Sequence, residues 1–130
     1  VTHILVADDD PDIREIVALL LEVAGHEVST VADGAAALAA IKHQTYALAV
    51  LDNAMPVMSG LQVLCASQDL GRESRPIFLM LSALNSRRDV RAAMDAGADY
   101  YLPKPFESTR LVSCVRELLD TGTLAPAADG

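Results

Sequence analysis

The sequence predicts an α/β fold, a doubly wound parallel sheet of five strands with five helices, and three observations lead there. Short apolar runs of about four to six residues alternate with longer stretches of helical period, the pattern of strands buried between two helical layers. Turn and capping signals fall between the runs. The 130 residues are 52% hydrophobic, enough for one buried core and therefore for a single domain.

The first strand is 3–8, His3-Ile4-Leu5-Val6-Ala7-Asp8. Asp10-Pro11 then reads as an N-cap followed by proline at the first helical position, opening a helix over about 11–24 that Gly25 stops. A second strand over 27–31 leads to a helix over about 34–43, and a third strand is 47–52, Ala47-Leu48-Ala49-Val50-Leu51-Asp52. Ser59 with Gln62 fits a capping box for a helix over about 60–69. The fourth strand, 77–81, precedes a helix over 86–95 with Gly97 as its stop. The fifth strand is 99–102 and the fifth helix 107–120, so the domain is expected over 1–120. The stretch 121–130 lacks periodicity and is expected to be a linker or a disordered tail.

Composition excludes several functions. A formal net charge of -8 argues against nucleic-acid binding, which needs clustered Lys and Arg. No apolar run approaches the roughly 18 residues of a spanning helix, and no cationic leader precedes a signal-like core, so a soluble, cytoplasmic protein without membrane contact is expected. Cys65 and Cys114 have no metal-ligand or disulfide spacing and read as reduced, partly buried thiols. Only two lysines occur, Lys42 and Lys104, and Lys104 stands in the apolar stretch Tyr101-Leu102-Pro103-Lys104-Pro105-Phe106. Solubility does not explain it there.

In open parallel sheets, active residues gather where loops leave the carboxyl ends of the strands. Asp8, Asp9 and Asp10 close the first strand, Asp52 the third and Ser82 the fourth, while Lys104 follows the fifth. Asp10 is assigned to the helix cap. Asp8, Asp9 and Asp52 brought within several Å repel one another, and a hard divalent cation such as magnesium is the natural remedy. Asp9, Asp52 and a backbone carbonyl from the loop after Asp52 could ligate it. A carboxylate can also attack phosphorus when cationic and hydroxyl donors neutralise the transferring group, and Lys104 and Ser82 have those capacities. Pro103 and Pro105 restrict the backbone and aim the Lys104 side chain.

Taken together, Asp8-Asp9, Asp52-Asn53-Ala54-Met55-Pro56, Ser82-Ala83 and Lys104-Pro105-Phe106, with Gly60 and Gly97-Ala98-Asp99, resemble the receiver domains of two-component response regulators, chemotaxis-regulator-like, over about residues 3–120. The resemblance implies a flavodoxin-like sheet of order 2-1-3-4-5. It implies a regulatory phosphoacceptor rather than an enzyme with a separate substrate: Asp52 takes a phosphoryl group from the phosphohistidine of a histidine kinase or histidine phosphotransfer protein, the domain catalysing its own phosphorylation. Mg²⁺ or Mn²⁺ would be held directly by Asp9, Asp52 and the Ala54 carbonyl and through water by Asp8, with Lys104 and Ser82 on the phosphoryl oxygens. The Lys104-Pro105 peptide is expected to be cis. Ser82 and Tyr101 would form the switch, Tyr101 turning inward as Ser82 moves and remodelling the face of the fourth helix, fifth strand and fifth helix. Strand alternation makes Tyr100 the outward neighbour of Tyr101.

Ile13, Leu84, Pro105 and Phe106 are expected to dock the phosphodonor, and an effector domain or target protein to read the switch. Ala54 and Leu84 stand where many relatives place polar groups that orient water, so loss of the phosphoryl group is expected to be slow. The fifth helix carries Arg110 and Cys114 where winged-helix relatives build a charge-paired dimer, so that dimer is not expected. Two rivals share part of the pattern. A haloacid-dehalogenase-like phosphatase would use Asp8 as nucleophile and Asp10 as acid-base partner, and a receiver-shaped scaffold would signal without phosphorylation.

Overall fold

The computed structural model describes residues 2–71 and 73–122. Five strands and five helices alternate as β1 (His3–Ala7), α1 (Pro11–Val23), β2 (Glu27–Val31), α2 (Gly34–His43), β3 (Leu48–Leu51), α3 (Gly60–Ser67), β4 (Ile77–Ser82), α4 (Arg87–Ala96), β5 (Tyr100–Pro103) and α5 (Ser108–Thr121). All strand pairs are parallel and the order is β2-β1-β3-β4-β5, as expected. Chain order reverses between β1 and β3, which places the functional crevice beyond their carboxyl ends.

Near-continuous apolar runs form the inner strands because both faces of the sheet are covered. Ile4, Val6, Leu48, Val50, Leu79 and Leu81 face α1 and α5, meeting Val17, Leu21, Leu111, Val115 and Leu118. The alternate residues Leu5, Ala7, Ala49, Leu51, Phe78 and Met80 face α2, α3 and α4, meeting Ala37, Ile41, Val63, Leu64 and Ala93. The same alternation separates Tyr100 from Tyr101, but Tyr100 does not reach solvent. Its side of the sheet lies under α5, where Arg110 Nη2 donates to its hydroxyl at 2.6 Å and the guanidinium stands 5.5 Å from the ring centroid. Cys114 is buried on the inner face of α5, whereas Cys65 on α3 is exposed rather than partly buried.

Helix ends follow the local signals. The Asp10 carboxylate accepts from the Asp12 and Ile13 amides with Pro11 at the first helical position, and both halves of the Ser59–Gln62 capping box are present. Ser86 turns out to be the N-cap of α4 rather than its first residue. Gly25 and Gly97 adopt φ of 104° and 118°, the left-handed conformation that ends a helix. The fifth helix runs one residue further than expected, to Thr121, with Gly122 as a left-handed cap; Thr121 and Gly122 therefore belong to the helix end and not to a tail. Residues 123–130 lie outside the described residues. No helix among the described residues is long and apolar enough to cross a membrane.

Two features tie the loop after β3 to the rest of the fold. A Cβ on Gly34 would stand 2.0 Å from the Met58 carbonyl oxygen, so only glycine lets this loop lie against α2. Val57 sits at φ 70°, at the centre of a γ-turn closed by the Met58 N–H on the Pro56 carbonyl at 2.8 Å. A β-branched residue is strained there by about 1–3 kcal/mol, and the 78% exposed side chain recovers almost nothing by packing. Val57→Gly is expected to raise stability by about 1 kcal/mol, the strain relieved less the extra chain entropy of glycine. A urea midpoint at or below that of the parent would contradict this.

At the opposite end of the sheet, Asp99 accepts the Phe78 N–H at 2.8 Å. Burial pushes its carboxyl above the usual range, opposed by that hydrogen bond and by the Arg75 charge. A carboxyl raised on folding binds its proton more tightly in the folded chain. Its contribution is complete below the unfolded value near 4 and is lost as pH rises through the raised folded value. Asp99→Asn keeps an acceptor for Phe78 and removes the titration, so its stability between pH 4 and 7 should vary less than the parent's. An unchanged pH profile in chemical denaturation would refute the assignment.

Candidate functional site

Two segments deliver acids to the crevice. The loop after β1 is pinned from all sides: the Asp8 amide donates to the Val31 carbonyl at 3.2 Å, Arg14 Nη1 donates to the Asp8 carbonyl at 2.8 Å, and Asp8 Oδ1 accepts the Asp10 amide at 3.0 Å. Asp8 is thus buried and Asp9, next along, exposed. Asp52 follows the last residue of β3, its amide on the Ala7 carbonyl at 3.0 Å and its Oδ1 accepting the Ala54 amide at 3.2 Å. One oxygen each from Asp8, Asp9 and Asp52 lie within 4.8 Å of one another.

The fifth strand brings the countercharge. Lys104 Nζ stands 2.8 Å from Asp8 Oδ2 and 3.2 Å from Asp52 Oδ2, and the lysine backbone is tied to the Ser82 carbonyl at 3.0 Å. The Lys104-Pro105 peptide is cis. Burial alone would lower the Lys104 ammonium, but the hydrogen bond to Asp8 and the charges of both acids hold it above its ordinary value. Burial likewise pushes the Asp52 carboxyl up, the Lys104 charge pulls it back, and Asp8 pushes it further up. One ammonium does not balance three carboxylates. Two carboxylates about 5 Å apart still repel by about 3 kcal/mol at an intermediate dielectric.

That residual negative charge, carried by oxygen donors of which Asp9 is open to solvent, suits a hard divalent cation that keeps part of its water shell. Asp8, Asp9 and Asp52 are the residues that could hold it. Asp10 is not among them, because its carboxylate is engaged by the first amides of α1.

Ser82 ends β4 fully buried, its Oγ accepting the Leu84 amide at 3.2 Å. Tyr101 lies inward beside it, its hydroxyl donating to the Leu84 carbonyl. Burial pushes the Tyr101 phenol above its ordinary value. Of the expected docking residues, Ile13, Pro105 and Phe106 line one cleft of about 460 Å³ next to Lys104, together with Ile16 and Ala83. Leu84 is exposed and outside that cleft, its backbone carbonyl accepting the Tyr101 hydroxyl. Sequence reasoning missed Arg14 and Asn53. Arg14 had no signal beyond an arginine one turn into a helix, and Asn53 looked like an ordinary turn residue.

The comparisons agree with this geometry. The family model described as the response regulator receiver domain matches residues 4–116. The transcriptional regulatory protein TcrA of Mycobacterium tuberculosis is 40% identical over 122 residues, covering 94% of this chain and 47% of the relative. The DNA-binding response regulator MtrA of Mycolicibacterium smegmatis is 35% identical, covering 96% and 54%. This chain spans about half the length of the curated relatives it matches. Among solved structures, a CheY-like receiver domain protein from Methanospirillum hungatei superposes with a TM-score of 0.86 at 31% identity, covering 92% of this chain and 94% of that one. The chemotaxis response regulator CheY4 of Vibrio cholerae gives 0.83 at 31% identity, with 90% and 98% covered. On its sequence, its fold and the gathering of Asp8, Asp9, Asp52, Ser82 and Lys104 at one sheet edge, the chain belongs to the response regulator receiver domain family.

Proposed function

We propose that Asp52 is the phosphoacceptor, taking the phosphoryl group of a phosphohistidine on a histidine kinase or histidine phosphotransfer protein. The observation that carries this is the Lys104 ammonium bridging Asp8 and Asp52, with Asp9 alongside. An oxygen of Asp52 attacks phosphorus, the phosphorus–nitrogen bond breaks, and its electron pair leaves with the imidazole, which picks up a proton from solvent. Negative charge spreads over the three equatorial oxygens in the loose transition state. Lys104 would meet one of them and the Ser82 hydroxyl another, each already tethered to the same strand end.

Mg²⁺ or Mn²⁺, held by Asp9, Asp52 and the Ala54 carbonyl and through water by Asp8, would neutralise the remaining charge. Domain residues catalyse this transfer on themselves, and Ala54 and Leu84 offer no polar group to orient water, so the acyl phosphate is lost slowly. Ser82, turning to the phosphoryl group, gives up the Leu84 amide, and Ser82 and Tyr101 together switch the face of α4, β5 and α5 for an effector domain or target protein. The phosphodonor docks at the cleft of Ile13, Pro105 and Phe106 and on the exposed Leu84 outside it. Such a domain works in the cytoplasm, and its boundary is proposed at about residue 120.

Treatment with acetyl phosphate and Mg²⁺ tests the assignment. Intact mass should show one added PO₃ unit in the parent and in Asp10→Asn, and none in Asp52→Asn. Label retained in Asp52→Asn and lost in Asp8→Asn would transfer the nucleophile to Asp8 and defeat the proposal.

A further inference from the structure

Of the ten residues of α4, Ala93 alone is buried, while Arg87, Arg88, Arg91, Met94 and Asp95 stand in solvent. A helix with so small an apolar face has little packing to hold it, and its ends decide where it can move. At the first turn, the Ser86–Asp89 capping box joins the helix only to itself. The chain before it leads back to the switch, where Ser82 Oγ accepts the Leu84 amide at 3.2 Å. The other end is fastened to a neighbour. The Gly97 and Ala98 amides take up the Ala93 and Met94 carbonyls, and the Ala96 carbonyl accepts Gln68 Nε2 at 2.8 Å. The second hydrogen of that nitrogen reaches the Leu64 carbonyl, in the last turn of α3, at 3.3 Å.

Arg75 sets the direction of this clasp. Its Nη1 donates to Gln68 Oε1 at 2.7 Å, so that end of the carboxamide must be the oxygen and the NH₂ group must face the two helix ends. Carbonyls at a helix C-terminus lack intrahelical donors, and one carboxamide here serves two of them. A Cβ on Gly97 would stand 2.3 Å from Gln68 Nε2 and displace it. We propose that Gln68, oriented by Arg75, is a positioning residue that pins the C-terminal end of α4 to α3, so that α4 answers phosphorylation as a lever, free at Ser86 and fixed at Ala96. The proposal rests on the reading that phosphorylation of Asp52 switches the face containing α4. When Ser82 gives up the Leu84 amide, the restraint is lost at the free end only.

Nuclear magnetic resonance on the whole chain tests this with Gln68→Ala and Gln68→Glu, both at an exposed position. Glutamate keeps the length and the Arg75 partner but has no N–H to give. In both variants, without any modification of Asp52, the Gly97 and Ala98 amides should exchange with solvent about 3- to 10-fold faster, the equivalent of one hydrogen bond. With Mg²⁺ and beryllofluoride as the phosphoryl mimic, amide shifts along α4 in the parent should be confined to its first turns and should reach Ala96 and Gly97 in both variants. Parent-like exchange in Gln68→Glu, or a parent response that runs evenly along α4, overturns the proposal. A mimic that moves no α4 amide of the parent ends the switch reading and the lever with it. That failure is told apart by the exchange rates, which need no mimic.

Discussion

Lys104→Met is expected to lower phosphoryl acceptance by about 10²–10³-fold, the usual effect of removing one preorganised donor from a transition state, and to destabilise the fold at neutral pH by about 3–5 kcal/mol, as when one partner of a buried ion pair is removed. The size follows from where the ammonium sits. Its side chain is 16% exposed and bridges two carboxylates that are 4% and 7% exposed, so neither acid can turn to water for compensation. The methionine keeps the volume of the stem and deletes the charge. The two effects separate with pH. Without Lys104, burial and the Asp8 charge act on Asp52 against the Ala54 amide alone, and its folded value rises further above the unfolded one. Stability tied to a raised carboxyl is present at low pH and lost as pH rises through the folded value. The deficit of the variant should therefore shrink on acidification from pH 7 towards 4, measured as a difference in urea unfolding free energy. A deficit that stays constant across that range would mean that Lys104 acts by packing and not by charge.

Gly60→Ala is expected to have the next largest effect, about 1–3 kcal/mol of destabilisation from forced overpacking, with impaired phosphoryl acceptance. A Cβ at this position would meet the Asp52 carbonyl oxygen at 2.6 Å, the Met80 Cε at 2.8 Å and the Asn53 Cα at 3.0 Å. Met80 ends in a flexible methyl that can give way. The other two atoms are backbone of the phosphoacceptor segment, held by the Asp52 amide on Ala7 and by the Gly60 amide on the Asn53 carbonyl. Relief must come from moving the start of α3 or from moving Asp52 itself. Thermal unfolding and the initial rate of PO₃ uptake on the same variant report both. A variant as stable and as reactive as the parent would show that α3 is not braced against the site.

Much of this was legible in the chain because the inner strands are buried on both faces and so are written as unbroken apolar runs, with each run ending at the residue that carries chemistry. Asp8, Asp52 and Ser82 are readable as strand ends for that reason, and Lys104 stands out as a cation in an apolar stretch. Local signals were equally reliable where the interaction itself is local, as at Asp10 and at Ser59 with Gln62. The misplaced details depend on distant partners. Tyr100 is buried because α5 happens to cover its side of the sheet, and Cys65 lies on the exposed side of α3. The contacts of Arg14 with Asp8 and of Asn53 with Leu61 join segments whose approach is set by packing and not by spacing.

The most direct measurement of the central claim is a crystal structure with Mg²⁺ and beryllofluoride, a mimic of the bound phosphoryl group. The mimic should sit on the Asp52 carboxylate, with the Lys104 ammonium and the Ser82 hydroxyl each on a fluoride. A mimic attached to Asp8, or a Lys104 ammonium still bridging Asp8 and Asp52 with neither acid modified at saturating beryllofluoride, would contradict it.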